Sequence, residues 1–150
     1  MNQLLHVSAS PHIKDRVTTS SIMLDVIIAL IPATLFGIIQ FKINALLIIV
    51  TTITTCVLAE YLYERFMKKT ITIKDLSAVV TGLILALNLP STVPLWLPVI
   101  GGLFAIIVVK QFYGGLGQNF MNPALAARCF LLISFTGRMT NFAFDRSKSV

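Results

Sequence analysis

Three glycines, two asparagines and an arginine lie close together in KQFYGGLGQNFMNPALAARCF, residues 110–130 of an otherwise apolar chain. Gly114, Gly115 and Gly117 let backbone approach a bound group closely. Asn119 and Asn122 each offer a carboxamide that donates and accepts. Pro123, directly after Asn122, is a favoured first helical residue with Asn122 as its N-cap, so a helix N-terminus faces the same turn and favours an anion. Arg128 sits inside that apolar helix, where a guanidinium needs an acidic, carbonyl or ligand partner. With Thr81 from an earlier short segment, these residues could hold an anionic or planar polar ligand, and they form the candidate cofactor-binding set. The glycines alone leave a packing turn and a ligand loop both open. GGLG lacks the strand context of a dinucleotide fingerprint and the GK[ST] of a P-loop, and Arg128 moves the balance toward a ligand.

Asp25 and Glu60 are the candidates for ion or proton handling, since an acidic group in an apolar segment invites that reading. Each has a plainer alternative. Asp25 falls in the first turn of a helix beginning near residue 22, where the helix dipole favours an anion, and Glu60 can snorkel past Tyr61 and Tyr63. No residue reads as a catalytic acid, base or nucleophile. His6 and His12 stand in a polar tail and read as solvated. Cys56 and Cys129 lack CxxC spacing and read as free, buried thiols, and no metal-ligand cluster is present.

The elements that must position these residues are membrane helices. Hydrophobic residues make up 56% of the chain and charged residues 12%, with a mean hydropathy of +0.86, more than a soluble core of this size needs. The net charge of +6 lies at segment ends, which argues for topology rather than a nucleic-acid partner. Residues 1–21 form a polar cytoplasmic lead without a signal-peptide core, and the membrane domain covers 22–135. Its first span is 22–41, interrupted by Pro32 and Gly37, where a kink is expected. A tight link at 42–44 makes an antiparallel hairpin with a second span, 45–63, whose Thr51, Thr52, Thr54 and Thr55 suit close helix packing. The third segment, 75–90, has an apolar part only about 21 Å long and Asp75 or Ser77 as cap. The fourth runs from 94 or 96 to about 113, with Gly101 and Gly102 open to another helix and Trp96 at interface depth. The fifth, 123–135, is again short, about 20 Å. Two short segments bounded by Gly or Pro point to a site made by broken helices. Arg65, Lys68, Lys69 and Lys74 form the densest basic cluster and place their connection, the N-terminus and the Lys110 turn on the cytoplasmic side. Residues 136–150 then lie on the other side.

VVTGLILALNLPSTVPLW (79–96) followed by KQFYGGLGQNFMNPALAARCF resembles the RnfD/NqrB family, the membrane subunits RnfD of the bacterial Rnf complex and NqrB of the sodium-pumping NADH:quinone oxidoreductase. SPHI (10–13) and TTSSIMLD (18–25) are similar to the Rnf member in particular. The resemblance extends over nearly the whole chain. It implies an all-α integral membrane fold in which about five transmembrane or half-spanning helices make one repeat of a ten-helix, urea-transporter-like subunit. It implies flavin-mediated electron transfer between ferredoxin and NAD, coupled to Na+ or H+ transport, in the bacterial cytoplasmic membrane. The implied partners are the other Rnf subunits, RnfA, RnfB, RnfC, RnfE and RnfG, and membrane lipid, with no nucleic acid and no metal on this chain.

The family's cofactor is FMN, joined through its phosphate to a threonine in an [ST]-[GS]-A-T type motif, and riboflavin is associated with the related subunit. Thr136 and Thr140 lack that motif here, so the attachment is expected beyond Val150 and the chain reads as an N-terminal half. The alternative function is a passive channel or transporter half, or a quinone-reductase type of subunit.

Overall fold

The computed structural model describes residues 18–69 and 72–142, and these are helical throughout apart from their connections. His6 and His12 fall outside the described residues. Helix α1, Thr19–Phe66, consists of two helical arms that meet at Lys42, whose φ of 53° and ψ of −132° are non-helical. A straight helix of 48 residues would be about 72 Å long. Ser20 Oγ nevertheless donates to the Lys74 carbonyl at 3.1 Å, so the first turn of α1 lies beside the connection that follows its last. The two arms therefore fold back as the expected hairpin. Each arm is about 35 Å long at the helical rise, enough to cross a hydrocarbon core about 30 Å thick. The break is at Lys42 rather than at Pro32 or Gly37, which both lie inside the helix.

The helix starts at Thr19, with Thr18 Oγ1 accepting from Ser21 N at 3.3 Å. Asp25 consequently lies beyond the first turn, and the dipole argument for it lapses; it is exposed on the first arm. A 3-10 turn, Ile73–Asp75, leads to α2, Ser77–Leu87. Neither Asp75 nor Ser77 caps α2. Its N-cap is Leu76, held in the left-handed region at φ 59° and making no side-chain cap. Helix α3, Trp96–Leu103, continues as a π-helix over Phe104–Gln111, where Phe112 N reaches back five residues to the Ile107 carbonyl at 3.1 Å. Helix α4 is Pro123–Ser134, with the Asn122 carboxamide oxygen accepting from Ala124 N at 3.0 Å and Leu125 N at 3.4 Å. A last short helix, α5, is Thr136–Met139.

Small residues set how closely the helices approach. A Cβ on Gly82 would come within 2.8 Å of Ile53 Cα, so α2 rests on the backbone of the second arm of α1. Gly102 faces Thr55 and Cys56, and Gly101 faces Leu131, as the sequence led one to expect. Thr51, Thr52 and Thr55 return their hydroxyls to carbonyls four residues back at 2.6–2.7 Å, which makes them compatible with an apolar interface. Helix α4 buries Ala124, Ala127 and Leu131 along one stripe, and Phe130 stacks on Phe104 at 4.2 Å. Cys129 lies off that stripe and is exposed, unlike buried Cys56. Trp96 stands half exposed at the start of α3, edge-on to Phe135 at 5.2 Å and under Arg138 at 5.7 Å.

The far surface of the first arm stays apolar and open, with Ile28, Leu35, Phe36 and Ile39 exposed. In water such a continuous apolar face would be unstable; against lipid or another membrane helix it is ordinary. The chain is an α-helical membrane domain whose connections gather at two ends. One end holds the start of α1, the connection between α1 and α2, and the Gly-rich turn. The other holds the Lys42 turn, residues 88–95 and residues 135–142.

Candidate functional site

The polar groups concentrate at the first of these ends. Helices α2 and α4 both begin there, and a pocket of about 140 Å³ lies between them, lined by Ser77, Thr81, Lys110, Asn119, Asn122 and apolar residues including Met23 and Leu116. Two helix N-termini and one lysine thus border the same space. The start of α2, which lacks a side-chain cap, the dipole at the start of α4 and an ammonium favour an anionic or electron-rich group there.

The Gly-rich turn exists to end the π-helix at this place. Gly115 N donates to the Lys110 carbonyl at 3.0 Å and Gly114 N to the Gln111 carbonyl at 3.2 Å. Gly114, Gly115 and Gly117 have φ of 109°, 101° and 83°, left-handed values that other residues adopt at a cost. With its amide oriented so that both of its polar atoms are satisfied, Asn119 donates to the Val109, Lys110 and Gly115 carbonyls at 3.1–3.2 Å. Asn119 therefore fixes the helix end that presents Lys110, while also lining the pocket. Thr81 Oγ1 is committed to the Ser77 carbonyl at 2.8 Å.

Behind the pocket lies a buried charge network. Lys110 is 1% exposed, and its Nζ donates to Glu60 Oε1 and to Ser77 Oγ, both at 2.6 Å. Gln111 Nε2 adds a contact to Glu60 Oε1 at 3.4 Å. Glu64, one turn from Glu60 and 2% exposed, accepts from Thr72 N at 3.0 Å and from the Thr72 hydroxyl, which also lies 3.2 Å from Glu60 Oε1. Glu60 is fully enclosed, so the snorkelling alternative is overturned. The reason is Lys110: a buried ion pair with added hydrogen bonds holds the carboxylate inward, where an unpaired one would turn to water. In the structure Lys110 is the keystone of both pocket and network, a role the sequence did not disclose. Its signal was a single charge ending a long apolar helix, together with two glutamates at i, i+4 spacing.

The sequence-derived set divides in space. Thr81, Asn119 and Asn122 meet at the pocket, and Glu60 backs it. Gly114, Gly115 and Gly117 shape the turn without lining the pocket. Arg128 is elsewhere: it is exposed and its Nη1 donates to Asn88 Oδ1 at 3.0 Å, at the far end of α2. Of the acidic, carbonyl or ligand partners open to it, the structure supplies a side-chain amide oxygen, and Asn88 is steadied by donating to the Ile84 carbonyl at 2.7 Å. Asp25 makes no ion pair among the described residues. Thr136 and Thr140 return their hydroxyls to the Leu132 and Thr136 carbonyls at the opposite end. Among the described residues no group of three or more metal-binding side chains occurs.

A second space, about 210 Å³, lies at the Lys42 end and has mainly apolar side chains in its walls, among them Phe41, Ile48, Ile49, Leu87, Leu89 and Phe142, together with Ser91.

A family model described as "NQR2, RnfD, RnfE family" matches residues 6–149. The D subunit of the Na(+)-translocating ferredoxin:NAD(+) oxidoreductase complex of Acetobacterium woodii is 51% identical over 145 residues, covering 96% of this chain and 46% of that protein. The D subunit of the proton-translocating ferredoxin:NAD(+) oxidoreductase complex of Clostridium ljungdahlii is 42% identical, over 91% of this chain and 41% of its own length. The D subunit of the ion-translocating oxidoreductase complex of Shewanella denitrificans is 42% identical, over 91% and 39%. The chain spans less than half the length of these relatives.

Proposed function

This chain belongs to the NQR2, RnfD, RnfE family, and from that premise we propose that it forms part of the membrane subunit of an Rnf-type, ion-translocating oxidoreductase complex. In that role it sits beside the other subunits of the complex, and electrons pass between ferredoxin and NAD while Na+ or H+ crosses the membrane. The observation that carries the reading to this chain's own residues is the meeting of two helix N-termini, Lys110, Asn119 and Asn122 at one pocket.

A flavin is the cofactor that this reading calls for, and the donor set fits part of one. The pocket is too small for a whole isoalloxazine and ribityl chain, but its polar lining suits an electron-rich edge or a phosphate. Ser77, Lys110, Asn119 and Asn122 would hold that edge, and the rest of the site would come from other protein. The flavin supplies the ability to accept and pass electrons. The chain's own residues bind and orient: Asn119 fixes the backbone around Lys110, and the Lys110 ammonium favours negative charge in the pocket. Neither described threonine near the C-terminal end reaches this region, so covalent attachment is assigned to neither.

The basic connection carrying Arg65, Lys68, Lys69 and Lys74 orients the pocket toward the cytoplasm of a bacterial inner membrane, with the N-terminus on that side. Labelling of a cysteine introduced at Lys68 only from the periplasmic face would reverse this assignment.

The test of function is made on the full-length subunit within its purified complex. Flavin absorbance and fluorescence are expected, with the noncovalently held flavin reduced several-fold in Asn119→Ala and Asn122→Ala. A complex without any flavin after denaturation would overturn the electron-transfer reading and leave a passive pathway.

A further inference from the structure

Two outward surfaces of this domain differ by one charge. The first arm of α1 exposes Ile28, Leu35, Phe36 and Ile39, and no charged residue stands between Val26 and Phe41. Lipid can cover it. Helix α4 buries Ala124, Ala127 and Leu131 and turns the opposite stripe outward: Leu125, Arg128, Cys129 and Leu132, spaced at i, i+3, i+4 and i+7. A guanidinium stands in the middle of that stripe.

Depth and pairing decide what can cover it. Phe135 packs on Trp96, an aromatic ring of the kind that marks the membrane interface. Arg128 precedes Phe135 by two helical turns and so lies about 10 Å deeper in the apolar layer. Its side chain does not climb back to that surface. Nη1 donates to Asn88 Oδ1, and the Asn88 carboxamide is folded onto the Ile84 carbonyl, which holds the guanidinium beside the last turn of α2. Asn88 is neutral, and among the described residues Arg128 has no ion pair and no second hydrogen bond. A guanidinium carries several N–H donors in a planar fork, and inside a membrane such a charge is paired or faces a water-filled cavity. A carboxylate matches the fork with two parallel hydrogen bonds and cancels the charge. A second copy of the same stripe would instead set arginine against arginine.

We propose that α4 docks, along Leu125, Arg128, Cys129 and Leu132, against a membrane helix that carries a carboxylate at the depth of Arg128, supplied by the portion of the full-length subunit that this chain does not span. The chain covers 46% and 41% of two relatives, so in a subunit of that length further polypeptide is tethered to this domain. The docking face rests on membership in such a subunit and not on the flavin.

The test uses the full-length subunit within its complex in native membranes. With p-benzoylphenylalanine in place of Leu132, illumination should join α4 to a membrane-helix peptide of the same subunit that contains Asp or Glu. A peptide from another subunit or from a second copy, or a helix without a carboxylate, would overturn the proposal. Cys129 reads the same face without any substitution. Peptide mass spectrometry should find it unmodified by a hydrophilic and by a lipid-soluble maleimide, and modified once the complex is denatured. Reaction of the native complex with the hydrophilic reagent would make the stripe the wall of a water-filled path, and reaction with the lipid-soluble one a lipid-facing surface; either result overturns the proposal. Arg128→Glu should lower the yield of assembled complex several-fold, and exchanging the captured carboxylate for Arg in the same variant should restore it. No recovery would overturn the ion pair. Flavin absorbance on the same samples keeps the two readings apart: a cross-link without flavin retains the docking face and discards the electron-transfer reading, and flavin without the cross-link does the reverse.

Discussion

The pocket at the Lys110 end and the cavity at the Lys42 end are formed by the same helices from different materials. At the Lys110 end an enclosed lysine joins α1, α2 and the π-helix through Glu60 and Ser77. At the Lys42 end Ile48, Ile49, Leu87 and Leu89 meet around an apolar space, and the polar contact nearby lies at the surface, with Thr92 Oγ1 donating to the Asn141 carbonyl at 2.7 Å. Buried charge is expensive and is kept where it is hydrogen-bonded on several sides. An apolar cavity makes no such demand. Charge can therefore act on this fold at the Lys110 end, and substitutions at the two ends should behave differently.

The largest effect is expected at Lys110. Lys110→Met keeps most of the side-chain volume but strands Glu60, and breaking a buried pair costs about 3–5 kcal/mol. Melting of the full-length subunit in detergent should drop sharply. Combining Lys110→Met with Glu60→Gln should recover much of the loss, because no buried carboxylate is then stranded at position 60. If the double variant melts no higher than the single, the Lys110 end is held by packing like the other end, and the contrast fails.

Next comes Gly82, on the seam that both ends share. An added methyl group at 2.8 Å from Ile53 Cα meets backbone, which cannot swing aside. Gly82→Ala should cost about 1–3 kcal/mol through forced separation of α1 and α2. Gly37→Ala, with nothing within 4 Å, is the matched control and should be neutral or stabilise by up to about 1 kcal/mol through helix propensity. Equal melting of the two variants would mean that the close α1–α2 approach is not what holds the bundle.

Much of this was legible in the residues, and for a physical reason. Apolar run lengths, the reversal near Lys42, the Asn122–Pro123 helix start and the role of Gly101 and Gly102 are local or pattern properties. Treating two short segments as broken helices led to a possible convergence of Thr81, Asn122 and Arg128; Thr81 and Asn122 do line one pocket, and Arg128 does not join them. What stayed hidden depended on partners distant in sequence. Lys110 read as a topological charge because Glu60 lies 50 residues away, and snorkelling stayed open beside ion handling for Glu60 because its pairing was invisible. Arg128 was expected to have an acidic, carbonyl or ligand partner and was grouped with the ligand set, but it is exposed and Asn88 holds it at the other end of α2. The Leu76 cap was missed since a left-handed leucine has no sequence signature.

A smaller effect tests the two helix starts at the pocket against each other. Helix α4 is capped by its own Asn122, whereas α2 starts without a side-chain cap and gives its first hydroxyl, Ser77 Oγ, to Lys110. Asn122→Ala should therefore cost about 1 kcal/mol by the ordinary loss of an N-cap. Ser77→Ala removes no cap; it takes one acceptor from a buried ammonium that still has Glu60. Its signature is coupling: Ser77→Ala should be non-additive with Glu60→Gln in a double-mutant cycle, while Asn122→Ala should add independently to both. Additivity for Ser77 would detach α2 from the charge network, and the Lys110 end would then respond to charge through α1 and the π-helix alone.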